Sequence, residues 1–326
     1  MNFQEFKRVF EKKKVIEFPN KTPEFPLLSV CIPTFNQVEF ITDCLNGVLK
    51  QETDFPFEIL LGDDGSSDGT REVCISYAER YPEKIRLFLH YRENNIKIES
   101  KATSIFNALY NIYSAKGRFI AYCDGDDIWA DLSKVQKQVD YLSSHSETVL
   151  CYHKVAIIDE GKKNLPTPPY MDRWKKNFSS EELQCAREQP PISTWCFRNV
   201  IKEFPIEFFS VFNGDNFIVS LLGNYGNGKF LENIKPTLYR KHSGAMWSSE
   251  NKIFQLRSKF NTYRTLSEYY ERTYRNELSG HFHKRAQNYA KMILKLLFSQ
   301  RQIFYFSRFF ASNLKFFLSY SNHIQR

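Results

Sequence analysis

The chain is predicted to be an α/β protein built on a mainly parallel sheet flanked by helices. Three observations predict this. Short apolar runs alternate with segments of helical periodicity through the first half of the chain, which is the pattern of successive βαβ units. The runs are rich in Val, Ile, Leu and Phe, as strands covered on both faces require. Three of them end abruptly in polar or acidic residues: Pro33-Thr34-Phe35-Asn36, Asp63-Asp64 and Asp124-Gly125-Asp126-Asp127. In open parallel sheets ligands collect beyond the carboxyl ends of the strands, so these three clusters are expected along one edge.

The elements follow in order. Residues 3–14 read as a short helix, with a Pro- and Lys-rich lead-in to residue 26. Residues 27–32 (LLSVCI) form the first strand, closed by Pro33. Asn36 with Glu39 three residues on is the pattern of a capping box; Val38, Ile41, Cys44, Leu45, Val48 and Leu49 then recur at helical spacing. A second strand at 57–61 ends in GDDGSSDG and leads to a helix bearing Val73, Cys74, Tyr77 and Ala78. A third strand at 85–90, a helix marked by Ile105, Ala108, Leu109 and Ile112, and a fourth strand at 119–123 complete the repeat. Beyond them the pattern predicts a helix over 131–145 and a strand over 148–158. A mobile polar loop is expected over 159–190, a short apolar run over 192–200 and a helix over 216–222. Short strands follow at 229–233 and 237–240. Residues 251–320 are helical in pattern, with turn chemistry around Ser279-Gly280. The expected organisation is a lead-in (1–26), an α/β domain (27–250) and a helical C-terminal region (251–326).

Bulk properties narrow the function. No stretch of about 18 uncharged apolar residues exists, so no spanning helix is expected, and the charged N-terminus lacks the apolar core of a secretory signal. Seven scattered cysteines without CxxC spacing read as reduced thiols of a cytoplasmic protein and argue against a zinc site. Residues 251–326 carry 14 Lys and Arg against three Glu, a net +11 in a chain of net +8. The body is therefore mildly acidic and the tail basic. From 281 to 320, apolar residues such as Met292, Leu296, Phe304, Phe309 and Phe316 interleave with Lys291, Lys295, Arg301, Arg308 and Lys315. This pattern suits peripheral contact with an anionic membrane. The alternatives are packing on the α/β domain or on a second copy in a homodimer. No nucleic-acid motif accompanies the charge.

The acidic clusters admit two chemistries. Read as a calcium loop from Asp64, the DGSSDG stretch places Ile75 where a bidentate Glu is required, which excludes that loop. Asp124-Gly125-Asp126 at a strand end instead offers the incomplete oxygen shell that Mg2+ or Mn2+ takes beside a substrate phosphate; by itself it is equally a solvated turn.

Taken together, SVCIPTFNQ (29–37), EILLGDDGSSDGT (58–70) and KGRFIAYCDGDDIW (116–129) resemble the inverting family 2 glycosyltransferases of GT-A fold. PPISTWCFRN (190–199), NGDNFIVSLLGNYGNGKF (213–230) and LYRKHSGAMW (238–247) resemble a bacterial branch of that family. The resemblance covers about residues 27–248. It implies that Pro33, Thr34 and Asn36 line a nucleotide pocket and that Asp63 or Asp64 meets the base. It implies that Asp124 faces the ribose or the metal's water shell, that Asp126 ligates Mn2+ or Mg2+, and that Asp127 supports the ion or the acceptor side. Asp215 aligns with the catalytic base, and His242, with Arg240 nearby, lies beside the diphosphate and completes the metal set with Asp126 and Asp124. Two stretches depart from the family pattern: ENNIKIESKATSIF (93–106) replaces a Gly-rich, Arg-containing segment, and Gly214 replaces a Glu before Asp215.

The implied reaction is inverting, metal-dependent transfer of a sugar from a nucleotide-diphosphate donor, UDP-linked above all, to a hydroxyl of a glycan or lipid-linked acceptor. Its setting would be capsule or lipopolysaccharide synthesis. A sugar nucleotidyltransferase would need a Gly/Arg/Lys-rich phosphate loop after the first strand, which PTFNQ does not supply. A non-catalytic membrane scaffold would not need Asp126 and Asp215.

Overall fold

A computed structural model describes residues 1–212 and 214–299, with residues 305, 307, 309, 311 and 313. The chain forms two compact units, Met1–Phe209 with Asp215–Ser243 and Ser210–Gly214 with Gly244–Arg326.

The first unit begins with α1 (Phe3–Phe10), β1 (Ile16–Glu17), β2 (Leu28–Thr34), α2 (Ile41–Leu49), β3 (Phe57–Asp63), α3 (Thr70–Arg80) and β4 (Ile85–Leu89). A hairpin of β5 (Lys97–Ile98) and β6 (Lys101–Ala102) precedes α4 (Ile105–Ser114) and β7 (Phe119–Tyr122). Then come α5 (Lys134–Ser144), β8 (Thr148–Tyr152), β9 (Val155–Ile158), β10 (Asn164–Leu165), α6 (Ser180–Gln184) and β11 (Cys196–Arg198). Helix α7 (Gly214–Leu222), β12 (Asn227–Phe230) and β13 (Thr237–Arg240) follow.

The main sheet has eight strands in the order β1-β4-β3-β2-β7-β11-β8-β12. Its centre, β4-β3-β2-β7, is parallel. β11 enters antiparallel between β7 and β8, so the mainly parallel sheet is mixed. One face packs Val30, Ile32, Ile59 and Leu61 against Ile41, Leu45 and Val48 of α2 and Val135 and Val139 of α5. α4 covers the other: the Asn107 side chain donates to the Gly62 carbonyl at 2.7 Å, and Phe106 stacks on Phe6 of α1 with centroids 5.1 Å apart. Burying apolar side chains on both faces is what requires the uninterrupted apolar runs.

Several expectations are corrected. The run 148–158 is two strands. β8 stays in the main sheet, whereas β9 joins β10 and β13 in a separate three-stranded sheet; the polar pair His153-Lys154 marks the break. The expected loop at 159–190 contains β10, a 3-10 turn at Pro169–Trp174 and α6, with Trp174, Phe178 and Leu183 buried. α6 is started by a capping box between Ser179 and Glu182. The predicted box at Asn36 and Glu39 does not form, because Asn36 takes a left-handed conformation (φ 50°) and its side chain accepts from Ser67 N instead. α2 therefore starts only at Ile41, with Phe40 before it.

In the second unit, α8 (Lys252–Arg272) is capped by Asn251, whose side chain accepts from Phe254 N at 2.9 Å. It pairs with α9 (Asn276–Ser299). The chain reverses at Tyr274 (φ 60°), not at Ser279-Gly280. Ser279 lies inside α9 and its carbonyl accepts from Ser267 of α8 at 2.9 Å. Phe282, Ala286, Ala290, Ile293 and Leu297 form a buried stripe at helical spacing on α9. Phe282 stacks on Tyr270 of α8, centroids 5.6 Å apart. Half of the segment expected at a membrane is thus the described part of α9; most of residues 300–320 lie outside the described residues. Among the described residues no helix is long and apolar enough to cross a membrane.

Candidate active site

The three strand tails meet. Thr34, the last residue of β2, pairs with Asp63 at the end of β3, and its carbonyl accepts from Asp64 N at 3.0 Å. Gly125 N donates to the Pro33 carbonyl at 3.2 Å. A Cβ on Gly125 would stand 2.5 Å from Gln37 Oε1 and 2.8 Å from Thr34 Oγ1, so only glycine lets the acidic turn lie this close to β2. The turn after β2 is tied to the loop after β3 by Asn36 N to Ser66 Oγ (2.9 Å), Gln37 N to Thr70 Oγ1 (2.7 Å) and Val38 N to Asp68 Oδ2 (3.1 Å).

Asp63 and Asp64 differ. Asp63 is fully buried and saturated: it holds Arg71 Nε at 2.6 Å and accepts from Gly65 N and Ser66 N. It fixes the loop. Asp64 directs Oδ2 to Arg92 and to Asn95 (3.0 Å), while its buried Oδ1 has no partner among the described residues. Burial pushes its carboxyl up to about 7 despite Arg92. The Arg92 guanidinium stacks 3.8 Å from the centroid of Phe35. An open depression of about 560 Å³ beside it is lined by Ser66, Arg71, His90 and Arg92.

Asp124, Asp126 and Asp127 follow β7. The turn is welded to β13, since Ile128 and Leu238 exchange two backbone hydrogen bonds of 3.1 and 2.9 Å. Asp127 is buried, and its Oδ1 accepts from Arg240 N at 3.0 Å. Its carboxyl lies well above the usual range because of burial and the charges of Asp126 and Asp124. Asp124 is pushed up to about 8 by burial and by Asp126 and Asp215. Asp126 Oδ2 stands 2.9 Å from His242 Nε2. The His242 side chain is nearly buried, and its ring lies against Phe40, centroids 4.7 Å apart.

Arg240 lies deeper than a ligand-lining residue would. Its guanidinium is 1% exposed and is engaged by Asp43 of α2 (3.0 Å), the Asp126 carbonyl (3.0 Å) and the Glu160 carbonyl (2.9 Å). It reaches the site through the backbone of the acidic turn.

Asp215 stands in the first turn of α7, and its charge acts on Asp124 and on Tyr122 of β7. Gln189 donates to Asp215 Oδ2, and Asn216 donates to Oδ1 from its backbone (2.8 Å) and its side chain (3.1 Å). Gln189, Asn216, Phe40 and Asp43 escaped the sequence reading. Single polar or aromatic residues on helices and loops carry no local signal of this kind. Trp129 and Trp195 are buried, donate to the Ser193 and Pro190 carbonyls and pack the interior.

Among the described residues no three His, Cys, Asp or Glu side chains are gathered as a closed metal cage. One carboxylate and one imidazole 2.9 Å apart, beside a carboxyl raised by burial and by its acidic neighbours, fit a divalent ion that completes its shell with phosphate oxygens and water.

The family model for glycosyl transferase family 2 matches residues 29–204. An uncharacterised Mycobacterium bovis protein is 36% identical over 157 residues, 48% of this chain and 42% of that protein. TuaG of Bacillus subtilis, named for teichuronic acid biosynthesis, is 34% identical over 121 residues, 37% of this chain and 44% of TuaG. The chain thus spans less than half the length of these two relatives. The structure of S. aureus TarS 1-349 in complex with UDP-GlcNAc superposes with a TM-score of 0.52 at 20% identity, over 73% of this chain and 66% of that one, a likeness of fold. The expected GT-A architecture is the one observed, and with more than half of its length matched the chain belongs to glycosyl transferase family 2.

Proposed function

We propose that the protein transfers a sugar, with inversion and metal assistance, from a nucleotide-diphosphate donor (UDP-linked above all) to a hydroxyl of a glycan or lipid-linked acceptor in bacterial surface polysaccharide synthesis. The observation that carries the proposal is the Asp126–His242 pair, 2.9 Å apart, beside Asp124, whose carboxyl burial, Asp126 and Asp215 raise to about 8. A site with this much uncompensated acidity calls for a cation.

Asp126 and His242 would hold Mn2+ or Mg2+, with Asp124 toward the ribose or the ion's water shell. When bound, the ion would stabilise the charge developing on the departing diphosphate. Pro33, Thr34 and Asn36 border the nucleotide, and Asp64, with its unpartnered Oδ1, suits a hydrogen bond to the base better than the saturated Asp63. Asp215 is held by Gln189 and Asn216 with its charge facing Asp124. It takes the proton of the acceptor hydroxyl as that oxygen attacks the anomeric carbon. The new carbon–oxygen bond forms as the bond to the diphosphate oxygen breaks on the opposite face, and the nucleoside diphosphate leaves. Arg240 acts by holding the acidic turn. The exposed Met292 and Phe298, beside exposed Lys291 and Lys295 on α9, suit contact with an anionic membrane at its cytoplasmic face.

A panel of nucleotide sugars tests the proposal. Metal-dependent release of nucleoside diphosphate, abolished by a chelator, is expected for one donor. Release of pyrophosphate from a sugar phosphate and a nucleoside triphosphate would overturn it in favour of a nucleotidyltransferase.

A further inference from the structure

We infer that the start of α2, through Asp43 and Phe40, is the positioning element of the Asp126–His242 pair. Arg240 is the intermediary. Its guanidinium is 1% exposed, and a buried guanidinium is tolerable only when paired. Asp43 Oδ2, at 3.0 Å, is its one carboxylate partner among the described residues. With that charge met, the remaining donors reach the Asp126 carbonyl at 3.0 Å and the Glu160 carbonyl at 2.9 Å, while Arg240 N donates to Asp127 Oδ1 at 3.0 Å. One residue therefore fixes the backbone of the acidic turn and the carboxylate that follows Asp126.

Phe40 does the corresponding work for the imidazole. Its ring is shared between the Arg240 guanidinium, 4.7 Å from the centroid, and the His242 ring, with centroids 4.7 Å apart. Packing of this kind sets the ring plane that brings Nε2 to Asp126 Oδ2. Two residues just before and at the start of one helix thus hold both members of the pair from behind, without facing the donor themselves. Residues in this relation to a metal pair typically change affinity 10- to 100-fold when replaced.

Lys162 touches the same aspartate from the outside. Its Nζ is 2.8 Å from Asp43 Oδ1, it is more than half exposed, and such pairs contribute little. The inference rests on the metal-assisted transfer proposed above, and metal binding measured apart from turnover keeps the two distinguishable. The full chain is titrated with Mn2+ in the presence of UDP, and free Mn2+ is read by electron paramagnetic resonance. Asp43→Asn keeps the shape and removes the charge; it is expected to weaken Mn2+ binding by about 10- to 100-fold. Asp43→Glu is expected to restore most of the affinity, and Lys162→Met to leave it unchanged. If Asp43→Asn does not fold, Arg240→Lys carries the test with the same expectation, since lysine keeps the charge and loses the three-way fork. Wild-type affinity in a folded Asp43→Asn or Arg240→Lys protein overturns the inference alone. A wild-type chain that binds no Mn2+ with UDP overturns the metal reading and this inference with it.

Discussion

Glu58 and Asp124 are carboxylates at opposite edges of one sheet, the first fully buried and the second half-buried, and the chain treats them in opposite ways. Glu58, at the amino-terminal edge, is fully buried and matched at every side. It accepts from Ser29 Oγ (2.7 Å) and Lys116 N (2.9 Å), and Arg86 Nη1 lies at 3.1 Å. Arg86 is in turn tied to Glu17. Asp124, at the carboxyl edge, faces Asp126 and Asp215, and its carboxyl is raised to about 8. Among the described residues no lysine or arginine side chain forms an ion pair with Asp124, Asp126 or Asp127. The same fold can neutralise a buried carboxylate when its role is structural. At the other edge Asp124 and Asp127 have no cationic side-chain partner among the described residues and Asp126 has only His242, an arrangement consistent with the cation site proposed above.

Substitutions at the two edges should therefore fail differently. Asp126→Ala is expected to lower turnover by about 10³-fold, several kcal/mol of lost transition-state stabilisation. The melting temperature should not fall, because the change relieves repulsion with Asp124 and Asp127. A variant that unfolds instead would place Asp126 on the structural side. Glu58→Ala should do the reverse: about 3–5 kcal/mol of stability lost in denaturant titration, because Arg86 is left without its buried partner, with normal turnover per folded molecule.

A pH effect of smaller size follows from Asp64, which sits between these extremes with one oxygen paired and one not. Its folded carboxyl is raised from 3.8 to about 7, chiefly by burial. The sign follows from linkage: the stability it contributes is fully present below the unfolded value and is lost as pH rises from about 4 through 7. Subtracting the stability profile of Asp64→Asn from that of the wild type should show this decline; a flat difference would mean that Arg92 fully compensates the charge. The smallest effect is expected at Ser29, where Ser29→Ala removes one hydrogen bond to Glu58 and one from Gly117 N, about 1–2 kcal/mol by chemical denaturation.

The parallel core was legible because burial on both faces forces unbroken apolar runs, and the ends of those runs placed Thr34, Asp64 and Asp126 on one edge before any contact was known. Illegible were features set by tertiary pairing. His153-Lys154 splits an apolar run between two sheets, and β11 inserts antiparallel from a distant segment. Asn36 offered a local cap pattern that lost to Ser66 and Ser67 across the cleft. In the site, Asp43 and Phe40 were read only as part of a helix, because their roles depend on Arg240 and His242 some 200 residues away.

The central claim is that the acidic edge performs chemistry. Asp215→Asn tests it most directly, since asparagine keeps the size and the hydrogen-bonding place of Asp215 and removes the base. Measured with the preferred nucleotide sugar, the variant should bind donor and Mn2+ as the wild type does and transfer sugar about 10²- to 10⁴-fold more slowly. Near-native transfer by Asp215→Asn would contradict the account.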